Sequence, residues 1–156
     1  MKKFYLHLIF ASVLPVVLSS GCAGKSETPP PPVKLLPFNA ENEQKSLAVS
    51  TEFAGAFAAA LQNGDFKLWQ DKMPQHIAGK VTPEIFSRMC REVEEMLGKL
   101  ENSSYFGTLQ NGNLRDNFWK LRFVKDGKVR EVLYMVRVYC TENGDPEISG
   151  FGIKRF

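Results

Sequence analysis

Histidine and cysteine are scarce in this 156-residue chain: there are two histidines, His7 and His76, and three cysteines, Cys22, Cys90 and Cys140. No two of them stand at the close spacing that structural zinc sites use, so a metal centre is not expected. The glycines form no phosphate-cradling loop, because Gly107, Gly112, Gly150 and Gly152 do not lead into a helix. Ser103-Ser104 lacks both a nucleophile-elbow setting and a credible histidine partner, which argues against acyl transfer. The chain also lacks an internal repeat, and its one long apolar run, Phe4 to Leu18, is short for a membrane span and carries His7 and Pro15. No cofactor is expected from any of these residues.

The amino terminus has the order of a secretory signal: Met1-Lys2-Lys3, the apolar run, then Ser19-Ser20-Gly21-Cys22. A cysteine directly after Gly21 resembles the lipobox of bacterial lipoproteins, with Ser19 at the position where that family favours Leu, Val or Ile. The resemblance implies removal of residues 1–21, lipid (palmitate-type) modification at Cys22 and a location in the bacterial cell envelope, anchored to a membrane and facing outside the cytoplasm. The alternative is an ordinary secreted protein. Without Lys2 and Lys3 the 20 basic residues become 18 against 17 acidic ones. So near-neutral a balance has no basic stripe to neutralise phosphates, and nucleic acid is not an expected partner. Residues 22–40 include Pro29-Pro30-Pro31-Pro32, a run that favours extended polyproline backbone, and read as a tether. Residues 41–156 are then one domain.

Two alternating apolar runs flank Asp126-Gly127, a strong hairpin signal, so Asn117 to Cys140 is read as a β-hairpin. A two-residue turn sets Lys125 opposite Lys128, Phe123 opposite Arg130, Leu121 opposite Val132 and Trp119 opposite Tyr134. Those residues, with Val136, Val138 and Cys140, share the core face; Arg122 opposes Glu131 on the other. Upstream, helical spacing predicts helices over Glu43–Gln62, Phe66–Lys72 and from Thr82-Pro83-Glu84 onward, the last with an apolar stripe extending to Leu100. Gln75 to Val81 reads as a link. Ser104 to Leu109 and Pro146 to Phe156 read as strands, with a bulge near Gly150 and Gly152. Helices first and strands after give an α+β fold.

Ala56–Leu61, Asn63-Gly64-Asp65-Phe66, Trp69, Val81-Thr82-Pro83-Glu84, Leu97-Gly98-Lys99 and Gly150-Phe151-Gly152-Ile153 together are similar to small bacterial domains of the nuclear-transport-factor-two-like (cystatin-like cone) superfamily. The resemblance spans residues 47–156. It implies a strongly curved antiparallel β-sheet wrapped around a long helix, often with an interior pocket, in a family of isomerases, dehydratases, ligand-binding modules and noncatalytic domains. That family's catalytic aspartate or histidine has no counterpart at a matching position. His76 reads as a surface residue, Asp65 as an N-cap, and Asp116 and Asp145 as turn residues, so no catalytic residue is assigned.

Two readings of the aromatic set remain: Trp69, Tyr105, Trp119, Phe123 and Tyr134 line a pocket for an unidentified small molecule, or they build the core. Cys90 and Cys140 form either a disulfide or two separate buried thiols. Phe118, Leu133, Met135 and Tyr139, alternating with charged residues on the hairpin's second face, are the candidate interface for a second copy or an envelope protein. The functional expectation is a noncatalytic binding or interaction module at the envelope; the alternative is a small-molecule-binding protein or an isomerase- or dehydratase-like enzyme.

Overall fold

A computed structural model describes residues 35–154; the expected signal segment, Cys22 and the proline run lie outside the described residues. Four helices precede four strands: α1 (Ala40–Asn63), α2 (Phe66–Gln70), α3 (Gln75–Ala78), α4 (Pro83–Leu97), β1 (Lys99–Asn111), β2 (Leu114–Lys125), β3 (Lys128–Cys140) and β4 (Pro146–Lys154). The strands form one antiparallel sheet in the order β1-β2-β3-β4, with the helices gathered against one face, an α+β architecture.

α1 begins three residues before its expected start because Asn39 caps it. The Asn39 side chain accepts from the amides of Glu41 and Asn42 at 3.0 Å each, and Asn42 Oδ1 accepts from the Asn39 amide at 2.6 Å. This reciprocal pair satisfies helix-end donors that have no partner within the helix. Asn39→Ala should lower stability by ~1 kcal/mol in chemical denaturation. At the other end Gly64 takes a left-handed φ of 67°, and Asp65 caps α2 by accepting from the Lys67 amide at 3.0 Å. The expected link contains one helical turn, α3, whose contribution to the core is Ile77. α4 starts as expected on Thr82, which accepts from the Ile85 amide at 3.3 Å. It stops at Leu97, however, and Leu100 belongs to β1: Gly98, at φ 95° and ψ −158°, turns the chain straight from helix into strand.

The β2–β3 register is the expected one, from Lys125 opposite Lys128 to Trp119 opposite Tyr134. Asp126 and Gly127 both have positive φ, 52° and 70°, as a type I′ turn requires. Arg122 faces Glu131 in register, but their charges go elsewhere. Arg122 Nε meets Glu101 Oε2 at 2.9 Å and Glu131 meets Lys120 at 3.5 Å, because Glu101 is the extra residue of a β1 bulge. These are exposed pairs of small energetic weight. β4 has the expected bulge at Ser149: Ile148 faces the core before it, and Phe151 and Ile153 face the core after it, so one inserted residue switches the inward parity.

Trp119, Leu121, Phe123, Val132, Tyr134, Val136 and Val138 meet Phe53, Phe57, Phe66, Trp69, Ile77, Phe86, Met89, Val93 and Leu97 of the helices in a single core. The hairpin also holds the helices electrostatically. Lys125 Nζ donates to the Glu95 carbonyl and Arg130 to the Met96 carbonyl, placing two cations at the C-terminus of α4, whose last turn has no basic residue of its own.

Candidate functional site

The interior is where a pocket would sit, and it is occupied by rings. Tyr134 stacks on Phe57 with centroids 4.3 Å apart and planes 12° apart. Trp69 contacts Phe57 at 4.8 Å, Phe151 at 4.9 Å, Phe53 at 5.6 Å and Phe86 at 5.9 Å. Pairs at such separations contribute beyond their buried area, by ~0.5–1.5 kcal/mol each. Trp69 and Tyr134 are each 1% exposed. Of the five candidate pocket residues, these two share the central cluster, Trp119 and Phe123 sit further along the sheet in the same core, and Tyr105 lies at the sheet edge, 48% exposed and edge-on to Trp119 at 5.7 Å.

Inside the core little space remains, although a more open surface cleft of about 640 Å³ runs between residues 71–76 and Pro146, Glu147 and Ile148. A cavity of about 60 Å³ lies between Trp69, Ile77, Val81, Phe86 and Met89 on the helical side and Gly150–Gly152 of β4. It is far below the ~300–1,000 Å³ that small-molecule sites occupy. A half-open cleft of about 370 Å³ runs between the end of α1, α4 and the start of β1, with Cys90, Val93, Leu100 and Phe123 in its wall.

No carboxylate or histidine enters the aromatic cluster among the described residues. His76 is exposed on α3, and Asp65 is the cap expected of it. Asp116 is not a turn residue. It lies in β2, 4% exposed, on the sheet face away from the helices, where Arg137 grips it with Nε to Oδ1 at 2.6 Å and Nη2 to Oδ2 at 2.8 Å. The carboxylate beside it and the hydrogen bonds hold the Arg137 guanidinium even more firmly in its charged form. Removing one partner of such a pair leaves the other's charge unmatched. Asp116→Ala should therefore cost about 2–4 kcal/mol, and the double variant Asp116→Leu/Arg137→Met much less. Thermal unfolding of the single and double variants measures the difference.

A second polar feature was hidden in the alternation. Asn117 has the inward parity of Trp119 and Leu121 and is fully buried. Its amide donates to Ser50 Oγ at 2.9 Å and its carbonyl accepts from Thr108 Oγ1 at 2.5 Å, while Thr108 meets the Tyr105 hydroxyl at 2.5 Å. The chain of groups ties β1 and β2 to α1. A polar residue at an inward position of an apolar strand was the available signal.

The cysteines do not meet. Cys90 lies in the cleft beside Phe123, which pairs with Arg130, and Cys140 is ten residues further along β3, about 33 Å of strand at ~3.3 Å per residue. A disulfide needs Cα atoms within ~7 Å, so both thiols are free. Burial raises both thiol pKa values above the ordinary value.

Phe118, Leu133, Met135 and Tyr139 do share the outer face, but Leu133 and Met135 are 7% and 4% exposed, and Phe118 and Tyr139 are half-buried. The Tyr139 hydroxyl donates to Glu147 Oε2 at 2.7 Å. Burial, followed by that carboxylate, pushes its pKa up to about 12, and burial pushes Tyr134 well above 10, offset in part by the Trp69 N–H nearby. Neither the Trp69 Nε1 nor the Tyr134 hydroxyl reaches hydrogen-bond geometry with any partner. Since folding favours the protonated phenols, their contribution to stability is complete below about pH 10 and is lost as pH rises through the folded-state values. Alkaline titration followed by phenolate absorbance should show Tyr139 ionising near pH 12 and Tyr134 ionising only with unfolding.

Fold and interior thus define an α+β domain with a sheet curled against helices and a ring-filled centre. No family model matches the chain, and no curated protein matches it. Among solved structures it is similar to a SEC-C motif containing protein from Rhodopseudomonas palustris, at 13% identity and TM-score 0.42, covering 60% of this chain and 70% of that one. It is also similar to a variant of a protein named Rd1NTF2_05, at 12% identity and TM-score 0.41, covering 73% of this chain and 99% of that one.

Proposed function

We propose that this chain is a noncatalytic binding or interaction module of the nuclear-transport-factor-two-like kind, held at the bacterial cell envelope by a lipid on Cys22. The observation that carries the noncatalytic part is the filled interior. Trp69, Phe57, Tyr134 and Phe151 occupy the place where a reacting molecule would have to sit, and the carboxylate buried among the described residues, Asp116, is neutralised by Arg137 on the opposite face. Acid–base catalysis needs a titratable group within hydrogen-bond reach of the substrate; the titratable member of this set, Tyr134, is 1% exposed and burial holds its phenol protonated, well above the usual value. Recognition then falls to the surface.

The anchor rests on the signal-like start and on the Gly21-Cys22 step. Blocking the peptidase that processes lipoprotein precursors should make the precursor accumulate in the membrane fraction, with mature chains carrying acyl mass on residue 22. Unchanged release of a soluble, unacylated product would refute the anchor.

The competing reading, a small-molecule-binding protein or an enzyme, has the 60 Å³ cavity beside Trp69 in its favour. Binding there would require the helices to part from β4, so a ligand would raise the unfolding temperature and change Trp69 fluorescence together. A screen that found such a compound would favour this reading over surface recognition.

A further inference from the structure

We infer that the charge-free arm formed by β1 and its turn into β2 lies against the bilayer surface, with Phe106 and Leu109 dipping into the lipid interface. This deepens the proposed function by naming what one surface meets, and it rests on the lipid at Cys22. Of the five large apolar residues exposed among the described residues, three fall within five positions of β1: Tyr105 at 48%, Phe106 at 63% and Leu109 at 58%. The other two stand singly, Leu68 on α2 and Val129 on the outer face of the hairpin between Lys128 and Arg130. Phe106 is the extra residue of a bulge between Tyr105 and Gly107, an irregularity that re-aims a side chain and here leaves its ring the most exposed of the five.

The chain's own connectivity selects lipid. Leu35, where the described residues begin, is held beside this arm: Asn113 Nδ2, in the β1–β2 turn, donates to the Leu35 carbonyl at 3.3 Å, and the Leu36 amide donates to the Cys140 carbonyl at 3.2 Å. Leu109 pairs with Asp116, close to the last pair before that turn, Asn111 with Leu114. Cys22 lies 35 − 22 = 13 residues upstream of Leu35, and a stretch of that length spans at most about 45 Å. An anchor at Cys22 thus keeps the arm within reach of the bilayer, which turns contact into an intramolecular event that even a weak interaction populates. Composition agrees. From Asn102 to Leu114, 13 residues, no charged side chain would have to be stripped of water at the interface. Tyrosine, phenylalanine and leucine are residues that settle at that boundary. The turn at the far end of β2 is charged instead, with Lys125, Asp126 and Lys128.

The processed chain, incorporated into vesicles of phosphatidylethanolamine and phosphatidylglycerol with or without bromine on the acyl chains, tests this through Phe106→Trp and Val129→Trp. Both sites are exposed and outside the core, so the fold should be kept, as circular dichroism would confirm. The native Trp69 and Trp119 are buried and supply a constant background. The expected result is that Phe106→Trp emits further to the blue in vesicles and loses emission when the lipid is brominated. Adding Leu109→Glu should remove both effects, and Val129→Trp should show neither. Phe106→Trp emission unchanged by vesicles, in protein whose residue 22 carries acyl mass, would overturn the contact and leave the anchor standing. Blue-shifted emission that ignores bromination would mean that protein covers the ring, and quenching of Val129→Trp alone would put the other end of the sheet on the bilayer; either overturns the inference. Residue 22 without acyl mass would refute the anchor and the contact together, so the mass spectrum tells the two failures apart.

Discussion

Trp69→Ala should destabilise the protein by about 3–5 kcal/mol, a large share of the ~5–15 kcal/mol available to a domain of this size. The indole is 1% exposed and touches rings from α1, α2, α4 and β4, so its removal opens a void that four elements would have to close together. Trp69→Phe should cost much less. It keeps most of the ring packing, and the Nε1 it deletes has no hydrogen bond to lose. Chemical denaturation of both variants distinguishes a structural ring from a ligand-contacting one. A pocket residue would tolerate alanine at small cost to stability, whereas a core residue would not.

Gly98→Ala should cost about 3–5 kcal/mol as well, from a position with no side chain at all. Gly98 has φ 95°, and a Cβ there would run into the Val124 carbonyl and lie 2.6 Å from Lys125 Cβ. Both obstacles belong to β2, at the point where α4 hands the chain to β1, so relief requires moving the edge strand. Gly127→Ala is the control. Its φ of 70° is equally left-handed, but a Cβ there meets open space, so only the backbone penalty of about 1 kcal/mol applies. If the two alanines cost the same, close packing of the α4–β1 corner is refuted.

Much of this architecture was legible because local signals and the face pattern agreed. Asp126-Gly127 fixed the hairpin turn, and alternation fixed its register to the residue, down to Trp119 opposite Tyr134. Thr82-Pro83 and Asn63-Gly64-Asp65 marked helix ends by chemistry that is local in sequence. What escaped was decided at a distance. Asn39 pairs with Asn42 in place of the usual Glu or Gln, which hid the start of α1. Leu100 continues the apolar stripe of α4 by spacing, yet a glycine held against Val124 redirects the chain two residues earlier. Asp116 looked like a turn residue until strand pairing set Arg137 directly opposite it.

Surface exposure illustrates the same limit. The outer hairpin face was readable as amphipathic, but its apolar members Leu133 and Met135 proved buried. Exposure of Phe106 and Leu109 depends on β1 being an edge, which is a property of strand order and not of any one segment. The cysteines were similarly undetermined, since only the length of β3 separates Cys140 from the cleft that holds Cys90.

We propose that the interior is sealed by its rings and that recognition takes place at the surface. Exchange of the Trp69 indole proton, followed by NMR in deuterated solvent, tests it most directly. A sealed interior predicts that this unpaired N–H exchanges only as slowly as the protein unfolds globally, together with the most protected amides of β2 and β3. Exchange orders of magnitude faster than those amides, in protein that stays folded, would show solvent reaching the aromatic cluster and would contradict the account.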